Sequence, residues 1–155
     1  MYGMKRLYNS NYKELGLDDV IKWEVLPLKQ NERLTITLVS TNSNNLQGIR
    51  IAVDNGCVDI ICDNKSAKEF WFWENEYLNK KIELHLNGDG QISIYNVCYK
   101  TLNGPNGGGI RSLMDYSGMI VEELPDGSYK YKCNDLLRST HFENLVFTVK
   151  IDNAV

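Results

Sequence analysis

The sequence predicts a mainly β fold: a single-domain antiparallel β-sandwich or barrel of about ten strands, with one or two short helical turns. Two observations carry this prediction. Apolar and polar residues alternate over several short runs, as they do in strands that bury one face. Asn-Gly and Asp-Gly turn signals separate the runs. Many short strands at regular spacing are typical of a sandwich or a barrel.

The alternation is clearest in four runs. In Arg33–Val39, for example, every second residue is a leucine or isoleucine, and the arginine and threonines between them face the other way. The same spacing recurs in residues 49–53, 81–87 and 144–151. The predicted strands are 23–28, 33–39, 49–53, 58–62, 69–74, 81–87, 91–99, 119–124, 128–133 and 144–151.

Three turn signals predict three hairpins, because Asn-Gly and Asp-Gly supply the positive φ that tight reversals need. The hairpins pair 49–53 with 58–62 through Asp54-Asn55-Gly56, 81–87 with 91–99 through Asn87-Gly88-Asp89-Gly90, and 119–124 with 128–133 through Pro125-Asp126-Gly127-Ser128. Short helical turns are predicted at residues 12–17 and 110–116.

A chain of 155 residues fits one domain, 1–155, without a linker or an internal repeat. No apolar run approaches the roughly 18 residues that span a bilayer, and the N-terminus lacks the apolar segment of an export signal. We therefore expect a cytoplasmic protein. Its four cysteines, Cys57, Cys62, Cys98 and Cys133, are expected to be reduced and partly buried.

The glycine-rich segment Asn103–Gly109 is the nearest approach to a nucleotide-binding motif. Gly104 and Gly109 have the G-x-x-x-x-G spacing of a phosphate-binding loop, but Ile110-Arg111-Ser112 follows where Lys-Ser/Thr is required. A flexible hairpin loop that could touch a partner is the better interpretation.

Catalytic and metal-binding patterns are equally weak. Cys133, Asp135 and His141 lie close enough in sequence for a nucleophile and base, but Tyr129, Tyr131 and Cys133 share one strand face, which favours a core cysteine. The cysteines lack the C-x2-C spacing of a structural zinc site. We expect no catalytic residues, no metal and no cofactor, and a binding protein rather than an enzyme.

Acidic residues are concentrated in one stretch. Between Asp54 and Glu76 six acids face two lysines, a net charge of −4, whereas the whole chain has a net charge of −3. An acidic face that attracts a basic partner is one interpretation, and a hydrated sheet edge is the other. The acidic balance argues against a surface that tracks nucleic acid.

The run Phe70-Trp71-Phe72-Trp73 lies within this stretch. In a strand the phenylalanines face one way and the tryptophans the other, so the strand is either buried between two layers or presents one aromatic pair to a partner. Aromatic anchors with a charged rim are typical of protein-binding sites and also suit sugar stacking. Trp23, Tyr95, Tyr99, Tyr129 and Tyr131 could extend the surface. The predicted partner-binding residues are Asp54, Asp59, Asp63, Glu69, Trp71, Trp73, Glu74, Glu76 and Tyr77.

A small, acidic, Asn- and Lys-rich β domain without a catalytic motif resembles the general profile of bacterial immunity proteins that neutralise a toxin nuclease. The resemblance is one of size, charge and absence of motifs. It implies a protein partner, namely a basic toxin domain, with no direct contact to nucleic acid or membrane. One alternative is a ligand- or carbohydrate-binding, or hydrolytic, β-sandwich. Another is a structural subunit of a larger assembly.

Overall fold

The computed structural model describes residues 5–61, 63–100 and 108–153, and these form a nearly closed antiparallel β-barrel. The predicted fold class is therefore confirmed. The described residues contain thirteen strands, a 3-10 helix (Ser10–Leu15) and a one-turn helix α1 (Glu74–Tyr77). The strands are β1 Lys5–Tyr8, β2 Ile21–Leu26, β3 Glu32–Thr41, β4 Leu46–Val53, β5 Cys57–Ile60, β6 Lys65–Ala67, β7 Glu69–Trp73, β8 Lys81–Asn87, β9 Ile92–Lys100, β10 Gly109–Ser112, β11 Gly118–Glu123, β12 Tyr129–Asn134 and β13 Leu145–Asn153.

All ten predicted strands are present, and the three additional ones, β1, β6 and β10, are short. The helical turn predicted at 12–17 is confirmed by the 3-10 helix, which ends at Gly16 with a φ of 79°. The turn predicted at 110–116 is wrong, because β10 occupies its first residues and pairs with β9. Residues 103–107 of the predicted glycine-rich loop lie outside the described residues.

Two of the three predicted hairpins are also wrong. β4 pairs with β7 and β9, whereas β5 pairs with β6 and β8, so Asp54-Asn55-Gly56 does not reverse the chain. β8 and β9 are likewise unpaired with each other. The third hairpin, β11 with β12, is confirmed; its turn is closed by the Leu124 amide, which donates to the Ser128 carbonyl at 2.8 Å.

The two mispredicted turns are bends within long strands. Leu26 on β2 pairs with Ile92 on β9. Arg33, seven residues later on β3, pairs with His85, seven residues earlier on β8. The two segments therefore have the same length between these pairs, and each passes through the bend as one strand. β4 and β5 likewise form one bent strand. It pairs with the bent strand β8–β9 on one side and with the bent strand β6–β7 on the other. Four bent strands therefore run through the barrel wall. Each contributes to a first half (β7, β4, β9, β2) and to a second half (β6, β5, β8, β3), which β13 extends.

Neighbouring bends nest against each other through glycines. A Cβ added to Gly56, which has a φ of 94°, would lie 2.3 Å from the carbonyl oxygen of Asn87. A Cβ added to Gly90 would lie 1.9 Å from the carbonyl oxygen of Asn55. The glycines that indicated reversals are thus required by close backbone packing at the bends.

The inward side chains of both halves form one apolar core, which includes Phe72 from the first half and Leu84 from the second. Glu24 is fully buried there, where it accepts hydrogen bonds from the Tyr131 hydroxyl and from Nε of Arg6. Within the described part of the chain, no helix has the length and apolar character needed to cross a membrane.

The predicted burial of the cysteines is confirmed for two of them. Cys98 and Cys133 are buried, Cys57 is half-buried, and all three are free thiols. Cys62 lies outside the described residues. Burial raises the pKa of the Cys133 thiol well above its ordinary value, so this residue is a core cysteine, as predicted, and not an activated nucleophile.

Candidate functional site

The aromatic run of β7 divides between the inside and the outside of the barrel. Phe70 and Phe72 point inward, and Phe72 is buried in the core. Trp71 and Trp73 point outward and are half-buried. Their rings are stacked, with centroids 6.2 Å apart and an interplanar angle of 13°. Of the two interpretations of this run, the outward aromatic pair therefore applies.

Arg50 on β4 lies between Trp71 on β7 and Tyr95 on β9, because these three residues are register partners across adjacent strands. Its guanidinium carbon is 5.6 Å from the centroid of the Trp71 ring and 5.4 Å from that of Tyr95. Both distances are within the range of cation–π attraction. Trp23 on β2 continues this outward row beside Tyr95. Trp23, Arg50, Trp71, Trp73 and Tyr95 together are called the aromatic ladder below.

Glu69 holds the cation of the ladder in place. Its Oε2 accepts a hydrogen bond of 2.9 Å from Nε of Arg50, and Nη1 of Arg50 donates to the Tyr95 hydroxyl at 2.9 Å. The Arg50 guanidinium, and after it the Trp71 indole, hold the pKa of the Glu69 carboxyl below its ordinary value. The guanidinium is thus oriented by both neighbouring strands before any partner is present.

Further apolar side chains extend the outer surface of the first half. Tyr99 on β9 pairs with Ile110 on β10, and both are exposed, as are Leu113 and Met114 beyond them. Tyr129 and Tyr131 do not belong to this surface, because both pack against the core. The predicted extension of the aromatic surface therefore holds for Trp23, Tyr95 and Tyr99 and is wrong for the two residues of β12.

The outer surface of the second half is mainly polar, although Val39 on β3 and Ile61 after β5 are exposed. Asp59, His85, Arg33 and Asp152 form a row of register partners across β5, β8, β3 and β13. Nε of Arg33 lies 3.4 Å from Oδ1 of Asp152. Threonines and Glu83 occupy the neighbouring positions. The aromatic residues are therefore concentrated on one half of the barrel wall.

The structure does not bring all the predicted binding residues together. Asp59 belongs to the polar half. Asp54 lies at the bend between β4 and β5, where its Oδ1 accepts from the Gln91 amide at 2.6 Å. The carboxylate of Glu74 is engaged within the fold, because it accepts from the Thr41 hydroxyl at 3.0 Å and from the Gln47 amide at 2.7 Å.

Asp63, Glu76 and Tyr77 form a separate group around a small cleft of about 250 Å³. Tyr77 places its ring edge-on to Phe72, with centroids 5.0 Å apart. Burial raises the pKa of the Tyr77 hydroxyl, and the nearby carboxylates of Glu76 and Asp63 raise it further. Both carboxylates belong to exposed residues and are free to act on a partner at long range.

Arg50 is the ladder residue that sequence reasoning missed. The sequence marks Arg50 only by its position on the polar side of the predicted strand 49–53, between two isoleucines that face the core. Recognising its role requires knowing that β4 lies between β7 and β9. That order of strands cannot be read from alternation.

The described residues contain no group of three or more His, Cys, Asp and Glu side chains placed to hold a metal ion. Comparison with protein-family models, with curated proteins and with solved structures gives no match to this chain. Its function therefore has to be inferred from the geometry of its own residues.

Proposed function

We propose that this chain is a protein-binding module that docks its partner on the aromatic ladder. We further propose that it is a small acidic cytoplasmic immunity protein, and that the partner is a basic bacterial toxin domain, a nuclease. The observation that carries the proposal is the outward cluster of Trp71, Trp73 and Tyr95 around Arg50, on one half of a barrel whose other half is mainly polar. Tryptophan, tyrosine and arginine are the residues that dominate binding energy at protein interfaces.

The contacts of Arg50 in the ladder contribute little to the stability of the chain itself. An exposed cation–π contact is worth about 0.5–1 kcal/mol, and an exposed ion pair such as Arg50–Glu69 is worth about 0–1 kcal/mol. Burial of a core aromatic side chain such as Phe72 contributes about 3–5 kcal/mol, judged by the cost of truncating it. Because its side chains are already oriented, the ladder loses little conformational entropy when a partner binds.

The charge of the chain favours a basic partner. The net charge is −3, and Asp63 and Glu76 carry exposed carboxylates outside the ladder. Such charges act over about 10 Å at 0.1 M salt, so they can attract a partner without touching it in the complex. Glu69 and Glu74 are less suited to this role because their carboxylates already have partners within the fold.

The test of the docking surface uses, as candidate partner, the nuclease domain of any toxin that is encoded beside the gene for this chain. Calorimetry with the purified toxin domain should show that Trp71→Ala combined with Trp73→Ala weakens binding at least about 100-fold, since hot-spot residues each contribute about 2 kcal/mol or more. Thr35→Ala, on the polar half, is the matched control and should leave the affinity unchanged. Equal affinities of the double variant and the unaltered chain would rule out the ladder as the docking surface.

The attraction of the partner by the exposed carboxylates is tested separately, by measuring association rates at several salt concentrations. Asp63→Lys and Glu76→Lys should slow association and flatten its salt dependence. Glu123→Lys makes the same charge change at an exposed position on β11 and serves as the control. If all three variants slow association equally, net charge rather than the Asp63–Glu76 group is responsible.

A further inference from the structure

An open cleft of about 380 Å³ is lined by three residues of the aromatic ladder, Trp23, Arg50 and Tyr95, but not by the stacked tryptophans. Trp23 and Tyr95 form aromatic walls, and Ala52 and Leu113 add apolar surface. Asp54 lies at the end of the cleft near the bend. Small-molecule sites occupy about 300–1,000 Å³ and combine such apolar walls with a few polar groups, so the cleft has the size and lining of a ligand site.

The polar groups of the cleft retain hydrogen-bonding capacity. Oδ1 of Asp54 accepts from the Gln91 amide at 2.6 Å, which leaves Oδ2 as an acceptor. The Tyr95 hydroxyl accepts from Arg50 at 2.9 Å and keeps its own proton to donate. Arg50 has further N–H groups beyond those bonded to Glu69 and Tyr95. The cleft therefore offers donors and acceptors side by side.

The lining of the cleft contains one cation, Arg50, and one carboxylate, Asp54, so its charges balance. An ionic ligand would be attracted by one of these groups and repelled by the other, so the lining favours neither sign of charge. A neutral ligand whose groups both donate and accept hydrogen bonds can bond to both groups without that repulsion, and hydroxyl groups have this property.

We propose that the cleft binds one neutral pyranose ring of a carbohydrate. The apolar C–H face of the ring packs against Trp23, and its hydroxyls bond to Asp54 and Tyr95. The ring belongs either to a free sugar or to the end of a glycan, because the same groups would recognise both. The cleft shares Trp23, Arg50 and Tyr95 with the ladder proposed for protein docking, whereas Trp71 and Trp73 do not line it, so substitutions of Trp71 or Trp73 distinguish the two proposals.

The test is a titration of the ¹⁵N-labelled chain, followed through its tryptophan indole N–H resonances. The probes are methyl glycosides of glucose, galactose, mannose and N-acetylglucosamine, compared with cyclohexylammonium and cyclohexanecarboxylate. We expect at least one glycoside to shift the Trp23 resonance in a saturable manner, and neither ion to do so. Saturable binding of an oligosaccharide ending in that sugar as well identifies a glycan end, and binding of the monosaccharide alone identifies a free sugar; either result supports the proposal.

Three variants make the test specific. Trp23→Ala and Tyr95→Phe should each weaken glycoside binding by about tenfold, the loss expected for one stacking surface or one hydrogen bond. Because Trp23→Ala lacks the indole resonance, its titration is followed through the backbone amide resonances of the cleft residues Ala52 and Ser93. Trp73→Ala should leave glycoside binding unchanged, although it should weaken binding of a protein partner. The proposal is overturned if no glycoside shifts the Trp23 resonance, if either ion binds more tightly than every glycoside, or if Trp73→Ala weakens binding as much as Trp23→Ala.

Discussion

The carbonyl oxygen of Asn55 lies so close to the backbone of Gly90 that a Cβ at position 90 would be 1.9 Å away from it. This relationship fixes two adjacent bends against each other, one between β4 and β5 and one between β8 and β9. The contact involves backbone on one side, so rotation of a flexible side chain cannot relieve the clash that a larger residue would create.

We therefore expect Gly90→Ala to destabilise the chain by about 2–4 kcal/mol, as overpacking against backbone does. Gly127→Ala is the control, because Gly127 has a φ of 84° but nothing within 4 Å of an added Cβ. It should cost only about 1 kcal/mol, the price of the backbone conformation alone. Urea unfolding of both variants measures the difference, and equal costs would show that the two bends do not pack as described.

The two faces of β7 give a second prediction. Phe72→Ala should lower the free energy of unfolding by about 3–5 kcal/mol, because a buried aromatic side chain is lost from the core. Trp71→Ala should lower it by less, about 1–2 kcal/mol, because the half-buried indole loses stacking and cation–π contacts on the outer face and no core packing. Thermal or urea unfolding compares the two neighbours. A Trp71→Ala variant as unstable as Phe72→Ala would mean that the outer tryptophans are structural and would remove the main support for a docking surface.

Acid should break the ion pair between Glu69 and Arg50 that orients the guanidinium in the ladder. The pKa of Glu69 is lowered in the folded chain, so its ion pair with Arg50 is complete above the ordinary glutamate pKa of 4.5 and is lost as the pH falls through the lower folded value. We expect tryptophan fluorescence to change in that acidic range while the chain is still folded. Glu69→Gln should abolish this change. A global stability curve is a poorer reporter, because the pKa values of Glu14 and Asp126 are lowered as well.

Alkali should destabilise the chain through buried thiols. Burial, with a further effect from Asp135, raises the pKa of Cys98 from 9.0 to about 12. The contribution of this thiol is complete below pH 9, the pKa it has when unfolded, and is lost as the pH rises toward the folded value. Urea midpoints should therefore fall between about pH 8.5 and about pH 10.5. Cys98→Ala should reduce the fall, and a fall of the same size in that variant would contradict the prediction.

The sequence was sufficient to predict the strands and their faces, because alternation over runs such as Arg33–Val39 reflects burial of one face directly. It was not sufficient to predict the course of the chain at Asp54–Gly56 and Asn87–Gly90. Asparagine and glycine supply the same backbone freedom in a reversal and in a bend, and which of the two forms depends on strands far away in sequence.

The candidate site could be predicted only in part for the same reason. The sequence predicts one binding surface from residues 54–77 because they follow one another along the chain. Each bent strand, however, passes from one half of the barrel to the other within a few residues. Asp59 on β5 therefore lies on the polar half, and Trp71 on β7, after the next bend, lies on the aromatic half. Arg50 and Tyr95 join the site from other strands through register, which a single sequence does not reveal.

The bent strands also determine how this chain can change over generations. Each one carries outward positions of the aromatic half at one end and outward positions of the polar half at the other, so the two surfaces can vary independently within a single strand. A library of variants limited to positions 50, 71, 73 and 95 would vary the aromatic ladder while leaving the charged row across β5, β8, β3 and β13 untouched.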